Sequence, residues 1–183
     1  KSIMEWRKRV GEEEANKIST FAATRGTAVH KLAEDYIDNV PDYDKDAMPH
    51  NKAAFLDLKN IIDQRLDNVW FQEEFLYSNK LELAGQVDCI AEFDGQLSII
   101  DFKTSRKPKK EEWIENYFVR AVGYACMLYE LTNIPVKKFV ILMSCENGEC
   151  VVYEEYNKKK YIKLLSEYIR EFVTFKLQEY GKS

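Results

Sequence analysis

Asp94-Gly95, set between the apolar runs 83–93 and 97–102, constrains this chain more than any other pair of residues. Both residues of a two-residue hairpin loop must take positive φ, and Asp followed by Gly is among the pairs that tolerate it best. A loop of that length fixes the register. Phe93 then faces Gln96, every further pair follows, and Asp88 falls opposite Asp101. Opposed residues have Cα atoms about 4.5–5.5 Å apart and side chains repeat every second position, so Lys103 shares a face with Asp101 and has Gln86 across from it. Two carboxylates side by side destabilise a sheet unless a proton or a cation lies between them. A divalent-metal site uses that arrangement. With an ammonium beside the acids, the stretch predicts metal-assisted hydrolysis of a phosphodiester.

At 183 residues, with 45% hydrophobic and 13% aromatic content, the chain can bury one substantial core and is expected to form a single domain over 1–183. It begins with Lys1 rather than Met, so a native N-terminus extending beyond the given residues is expected. No run approaches the roughly 18 apolar residues of a membrane span and the start lacks a signal-peptide core, so a soluble intracellular protein without membrane contact is expected. The net charge of −4 argues against a bulk positive field for nucleic acid, so any such site must be local. Its place is the run from Lys103 to Lys110, where Lys103, Arg106, Lys107, Lys109 and Lys110 follow directly on the acids. Elsewhere such a run reads as a solvated loop; next to an acid pair it points to phosphate. The four cysteines do not form a disulfide framework, and without a Cys-x2-Cys pair or a nearby His no iron–sulfur cluster or zinc site is expected.

Hydrophobic spacing sets out the elements. Helix formers run from Lys1 to about Lys17. Thr24-Arg25-Gly26-Thr27 then reads as a break whose hydroxyls cap a helix through Ala28, Val29, Leu32, Ala33, Tyr36 and Ile37. Residues 41–49 are polar with a proline at each end and read as a loop, and a third helix carries Ala54, Phe55, Leu58, Ile61, Ile62 and Leu66. Residues 69–77, 83–93 and 97–102 read as three antiparallel strands, 111–132 as a long helix, 136–144 and 150–155 as a strand pair, and 156–180 as a closing amphipathic helix. Cys145 and Cys150 flank a second short turn. The expected fold class is α/β, with a mixed central sheet of about five strands flanked by helices.

Phosphodiester hydrolysis needs an activated water, charge neutralisation on the phosphate and help for the leaving oxygen. Asp88 and Asp101 are the candidate metal ligands, the carbonyl of Phe102 is a further oxygen donor, and Lys103 is the catalytic lysine. His30 and Glu34 lie four apart on one helix face and are candidates for the same site. A His among apolar neighbours is as readily a hydrogen-bonded packing residue, and Glu34 as readily surface. Of Glu73 and Glu74 on the preceding strand, one must face solvent.

Arg25-Gly26-Thr27-Ala28-Val29-His30, then Gly85-Gln86-Val87-Asp88, then Asp101-Phe102-Lys103-Thr104-Ser105 with Lys107-Pro108-Lys109 resembles the RecB-like exonuclease branch of the PD-(D/E)XK nuclease superfamily, which includes phage and mitochondrial genome maintenance exonucleases. Each motif alone is common; the motifs in this order are not. The resemblance implies a restriction-endonuclease-like fold. It makes His30, Asp88 and Asp101 ligands of one or two Mg2+ or Mn2+ ions, Lys103 catalytic and Glu73 an accessory acid. It gives Thr104, Ser105, Arg106, Lys107 and Lys109 to DNA phosphates. The family's helix carries a Gln followed four residues later by a Tyr; here Tyr124 fits, and the Gln slot holds Arg120, which cannot accept a hydrogen bond but can grip a phosphate. Trp113, Tyr117 and Phe118 are positioned to stack on bases or to pack on the sheet, and Gly26 to permit a close backbone approach. The implied activity is a DNA exonuclease on single-stranded or free-ended DNA, with replication or recombination proteins as partners. It would act in the cytoplasm of a bacterial or phage-infected cell, or in a mitochondrion. A structure-specific endonuclease on the same core, and a non-catalytic DNA-binding module, are the rival readings.

Overall fold

A computed structural model describes residues 3–180. They form two compact units, one of residues 3–61, 103–108 and 143–151, the other of residues 62–102, 109–142 and 152–180.

The first unit is built on helices. α1 (Ile3–Val10) packs on α2 (Glu12–Ile37), and most of α3 (Pro49–Arg65) belongs with them. The start expected at Lys1 lies outside the described residues. The break expected at Thr24–Thr27 is absent. It falls instead at Gly11, whose φ of +87° is open to glycine at no steric cost. Beyond it α2 runs unbroken, and Arg25, within the polar segment, is buried on the same side as Val29, Leu32 and Ala33. That burial outweighs the roughly 1 kcal/mol that Gly26 costs inside a helix. A Cβ at Gly26 would meet only Thr104 Oγ1, at 3.6 Å, so close approach does not require glycine there. α3 begins at Pro49, a residue pre-set for a first helical turn. Its Phe55 packs against Tyr36 and Tyr43, with ring centroids 5.6 Å away in each case.

The second unit holds most of the sheet. The sheet order is β1-β2-β3-β4-β5, with β1 (Leu66–Ser78), β2 (Leu83–Phe93), β3 (Gln96–Ser105), β4 (Lys138–Cys145) and β5 (Cys150–Glu155). β1, β2 and β3 pair antiparallel. Between β3 and β4 the chain passes through α4 (Glu115–Thr132), the kind of crossover a parallel neighbour requires. Every residue of β4 is buried, which explains its unbroken apolar run. α4 packs on β1 and β2, and α5 (Lys158–Tyr180) packs on α4, with the Phe118 and Tyr161 rings 5.6 Å apart. The architecture is the α/β mixed sheet expected from the sequence. Among the described residues, no helix is long and apolar enough to cross a membrane.

The hairpin loop is Asp94-Gly95, with φ of +52° and +73°. Phe93 pairs with Gln96, and the ladder runs in that register to Cys89 and Ile100. The loop is clamped by charge. Arg65 Nε donates to Asp94 Oδ1 at 2.9 Å, and Lys138 Nζ donates to Asp94 Oδ2 and to the Phe93 carbonyl, each at 3.1 Å. Arg65 also pairs with Glu154. These partners hold the Asp94 carboxyl down at about 2, Arg65 contributing most.

Candidate active site

The acids of the second unit are brought together by an irregular strand pair. On β1 the register shifts between Asp67 and Phe71, and beyond the shift Gln72 faces Cys89 and Glu74 faces Val87. Glu73, between them, stands across from Asp88. Its φ is +49°, a left-handed conformation that costs a non-glycine residue about 1–2 kcal/mol and that tends to persist where surrounding structure enforces it. Gln86 Nε2 donates to the Glu73 carbonyl at 2.9 Å, pinning that residue from the neighbouring strand. A carboxylate oxygen of Glu73 and one of Asp88 lie within 4.8 Å of each other. Glu73 is half-buried and Glu74 exposed, so Glu73 is the acid turned inward.

The β2–β3 ladder is paired as far as Cys89 and Ile100, and Asp88 and Asp101 are the next residues along the two strands. Asp88 Oδ2 accepts a hydrogen bond from the backbone N–H of Phe102 at 2.8 Å, so its carboxylate is held against the β3 backbone. Asp101 does not join Glu73 and Asp88 within 4.8 Å. Its Oδ1 accepts a charge-assisted hydrogen bond from Arg120 Nη2. The Asp101 side chain is 4% exposed and that of Arg120 47%, so α4 lays a cation over a buried acid from the solvent side.

Tyr124, one turn along α4 from Arg120, completes the arrangement. It is 7% exposed, and its ring lies on the backbone of Gly85: a Cβ there would come within 3.1 Å of Tyr124 Cε1 and 3.2 Å of its hydroxyl. Glycine at position 85 is what leaves room for this ring. The charges are mutually felt. Burial works against the Arg120 guanidinium, but Asp101, and with it Tyr124 and Asp88, carry its pKa above the ordinary value. Burial pushes the Tyr124 hydroxyl up, and Asp88, Asp101 and Glu73 push the same way against Arg120. Beneath the pair, burial, with Asp88 and Glu73, raises the Cys89 thiol to about 12.

The other sequence-expected residues are placed as follows. Lys103 stands two residues beyond Asp101 on β3, on the same side of the strand by its period of two. His30 is half-buried on α2 in the first unit, and Glu34 pairs with Lys31 at 3.2 Å. In the loop after β3, Ser105 Oγ donates to the Lys107 carbonyl at 2.9 Å, while Arg106 is 80% exposed and stands 3.8 Å from Glu146. Lys109 Nζ donates to the Tyr117 hydroxyl at 2.7 Å, and its backbone N–H donates to the Tyr153 hydroxyl at 2.9 Å. Of the aromatic trio, Phe118 is buried, Tyr117 carries Lys109, and Trp113 is 62% exposed with Lys110 Nζ 5.6 Å from its ring centroid.

Three features were not read from the sequence. Arg25 is buried and donates to Glu146 Oε1 at 2.9 Å, and Glu146 also meets Arg106, linking the basic loop to α2 within the first unit. Arg25 stood in the quoted motif without a role. Glu73's backbone conformation had no signal. The Arg120–Asp101 pair was signalled only by the odd residue in the Gln slot.

Comparison with known proteins adds a family. A model of the PD-(D/E)XK nuclease superfamily matches residues 67–177, which hold Glu73, Asp88, Asp101, Lys103, Arg120 and Tyr124. Mitochondrial genome maintenance exonuclease 1 of Xenopus tropicalis is 28% identical over 108 residues, 57% of this chain and 31% of that protein. The Homo sapiens protein of the same name is 25% identical over 138 residues, 70% of this chain and 39% of its own length. The matched stretch therefore spans only about three to four tenths of these relatives' length. In fold it is similar to the crystal structure of a provisionally named exonuclease from Eubacterium rectale, with a TM-score of 0.59 and 12% identity, over 84% of this chain and 66% of that one.

Proposed function

The chain belongs to the PD-(D/E)XK nuclease superfamily, and on that premise we propose that it is a Mg2+- or Mn2+-dependent DNA exonuclease acting on single-stranded or free-ended DNA. The observation that carries the reading is the approach of Glu73 and Asp88 within 4.8 Å, with the Asp88 carboxylate bonded to the Phe102 backbone N–H and Asp101, next to Phe102 on β3, holding Arg120. Hard oxygen donors clustered in this way suit Mg2+ or Mn2+, and an imidazole suits Mn2+ as well. Asp88, Asp101, the Phe102 carbonyl and His30 would hold one or two ions, with Glu73 as a further acid.

A divalent ion there supplies charge neutralisation at the scissile phosphate and acidifies water. The chain's own residues do the rest. Lys103 sets an ammonium on the side of β3 that carries Asp101, where it stabilises negative charge as it develops. Thr104, Ser105, Arg106, Lys107 and Lys109 take backbone phosphates, Lys109 from its seat on Tyr117, and Trp113 stacks on an unpaired base. Partners would be replication or recombination proteins. The compartment would be the cytoplasm of a bacterial or phage-infected cell, with the mitochondrion the alternative suggested by the relatives' names.

The test is digestion of end-labelled linear and of circular single strands, each with Mg2+, Mn2+ or chelator. Metal-dependent loss of the linear strand from its ends, with the circle intact, is expected. Asp88→Asn and Lys103→Ala should lower the rate on the order of 10²–10³-fold, as removal of one charge-stabilising group does elsewhere. Cutting of the circle would make the protein an endonuclease. No cleavage by a folded protein under any of the conditions would leave a DNA-binding module.

A further inference from the structure

We infer that Arg120 is a built-in counter-ion that competes with the divalent cation for Asp101, so that loading of the site requires this side chain to move off the acid. The inference rests on the proposed metal-dependent function and deepens it. Three observations carry it. Asp101 is almost wholly buried, and a carboxylate removed from water demands a positive partner. The partner present is Arg120, bonded through Nη2 to Oδ1 and drawn also by Asp88 across the strand. And Arg120 is half exposed, so its long stem can swing the guanidinium into water without opening the core.

Charge sets the two cations against each other: Arg120 Nη2 holds Oδ1, and an ion taken up by the same carboxylate would lie within a few ångströms of the guanidinium. Arg120 sits one helical turn before Tyr124, on the face of α4 turned to the acids, and Tyr124 is seated on Gly85. Tyr124 thus fixes the depth of the helix, and relief of the repulsion between Arg120 and an ion falls to the arginine side chain. A glutamine in this slot carries no charge and sets no such competition. The guanidinium released from Asp101 is a fork suited to a phosphate oxygen pair. The same residue thus neutralises the metal-free site and becomes available to substrate once that site is filled.

Binding of Mn2+ to the metal-free protein tests this without reference to cleavage, measured by the electron paramagnetic resonance of free Mn2+ and by calorimetry. Arg120→Gln should bind Mn2+ at least about tenfold more tightly than the unaltered protein, since a unit charge within a few ångströms is worth that much even when largely screened. Arg120→Lys, which keeps the charge, should stay within about threefold. Without metal, Arg120→Gln should melt lower than the unaltered protein, and saturating Mn2+ should reverse the order.

Equal affinity in Arg120→Gln and the unaltered protein would overturn the inference while leaving the nuclease reading standing, provided that Asp88→Asn abolishes binding. Absence of Mn2+ binding in both the unaltered protein and Arg120→Gln would sink the reading itself. If Arg120→Gln fails to fold, Mg2+ titration of the unaltered protein decides. The side-chain Nε–H resonance of Arg120, identified by its loss in Arg120→Lys, must shift on loading, and its constancy at saturation refutes the competition.

Discussion

Replacing Gly85 with alanine separates a strand's local preference from the packing of the site. Alanine is favoured at an ordinary strand position, because glycine gives up more backbone freedom on folding; the expected gain is about 0.4–1 kcal/mol. Against it stands the Tyr124 ring. A methyl group at position 85 would lie 3.1 Å from Cε1 and 3.2 Å from the hydroxyl, several tenths of an ångström inside ordinary contact. Tyr124 cannot give way cheaply: it is 7% exposed, on a helix packed against both β1 and β2. Overpacking of this kind costs about 1–3 kcal/mol. The clash exceeds the backbone gain, and a net loss of about 1–2 kcal/mol follows. For a chain of this size that lowers the melting temperature by about 2–8 °C, at 2–4 °C per kcal/mol. Thermal and urea unfolding of Gly85→Ala, Tyr124→Leu and the double variant give the coupling directly. In the double variant the ring is gone, so the alanine should be neutral or stabilising. If Gly85→Ala is as stable as the unaltered protein while Tyr124→Leu is not, the ring does not press on position 85 and the argument for its placement falls.

Further predictions concern charge. Asp101→Ala should abolish cleavage with a stability loss under about 1 kcal/mol, since Arg120 is exposed enough to regain water; circular dichroism and unfolding check the fold, and retained activity would exclude Asp101 from the site. Asp94 has a folded pKa near 2, below its unfolded value. Its stabilising contribution is therefore full above about pH 4 and lost as pH falls toward 2. Asp94→Asn keeps a turn-compatible residue, so the stability gap between the two proteins should close over that window; a gap independent of pH would show that Arg65 and Lys138 do not act through the charge. Arg25→Ala should cost about 1–2 kcal/mol by emptying a buried position and stranding Glu146, which is exposed enough to limit the penalty; an unchanged melting temperature would remove the pair from the fold's support. His30→Ala should weaken Mn2+ binding, and an unaltered affinity would end its role as a ligand.

The hairpin was legible because a two-residue turn converts local chemistry into long-range geometry: once Asp94 and Gly95 occupy positive φ, every pair up to Cys89 and Ile100 is fixed. The helix break was misread for the complementary reason. Thr24, Gly26 and Thr27 each favour an end locally, yet Arg25 between them is buried in step with Val29, Leu32 and Ala33. Tertiary burial overrides capping preference when the apolar stripe keeps its phase. Gly11 carried the break with no flanking hydroxyl, and only its backbone conformation distinguishes it.

The site divides along the same line. That acids 88 and 101 come one step beyond the Cys89–Ile100 pair follows from register, and that acids so placed demand positive charge follows from electrostatics alone. Which cation answers the demand does not. Lys103, a divalent ion and Arg120 are all consistent with the sequence, and they differ in what surrounds them: Lys103 shares a strand with Asp101, whereas Arg120 arrives from a helix whose depth over the sheet is set by Tyr124 on Gly85. Glu73 likewise turns toward Asp88 only because residue 73 takes up a left-handed conformation that a strand pattern gives no reason to expect. A pattern of side chains states how much charge must be balanced, and the backbone decides which residue balances it. Here the helix bears Arg120 beside Asp101, so a side chain of the protein itself supplies positive charge to the buried acid.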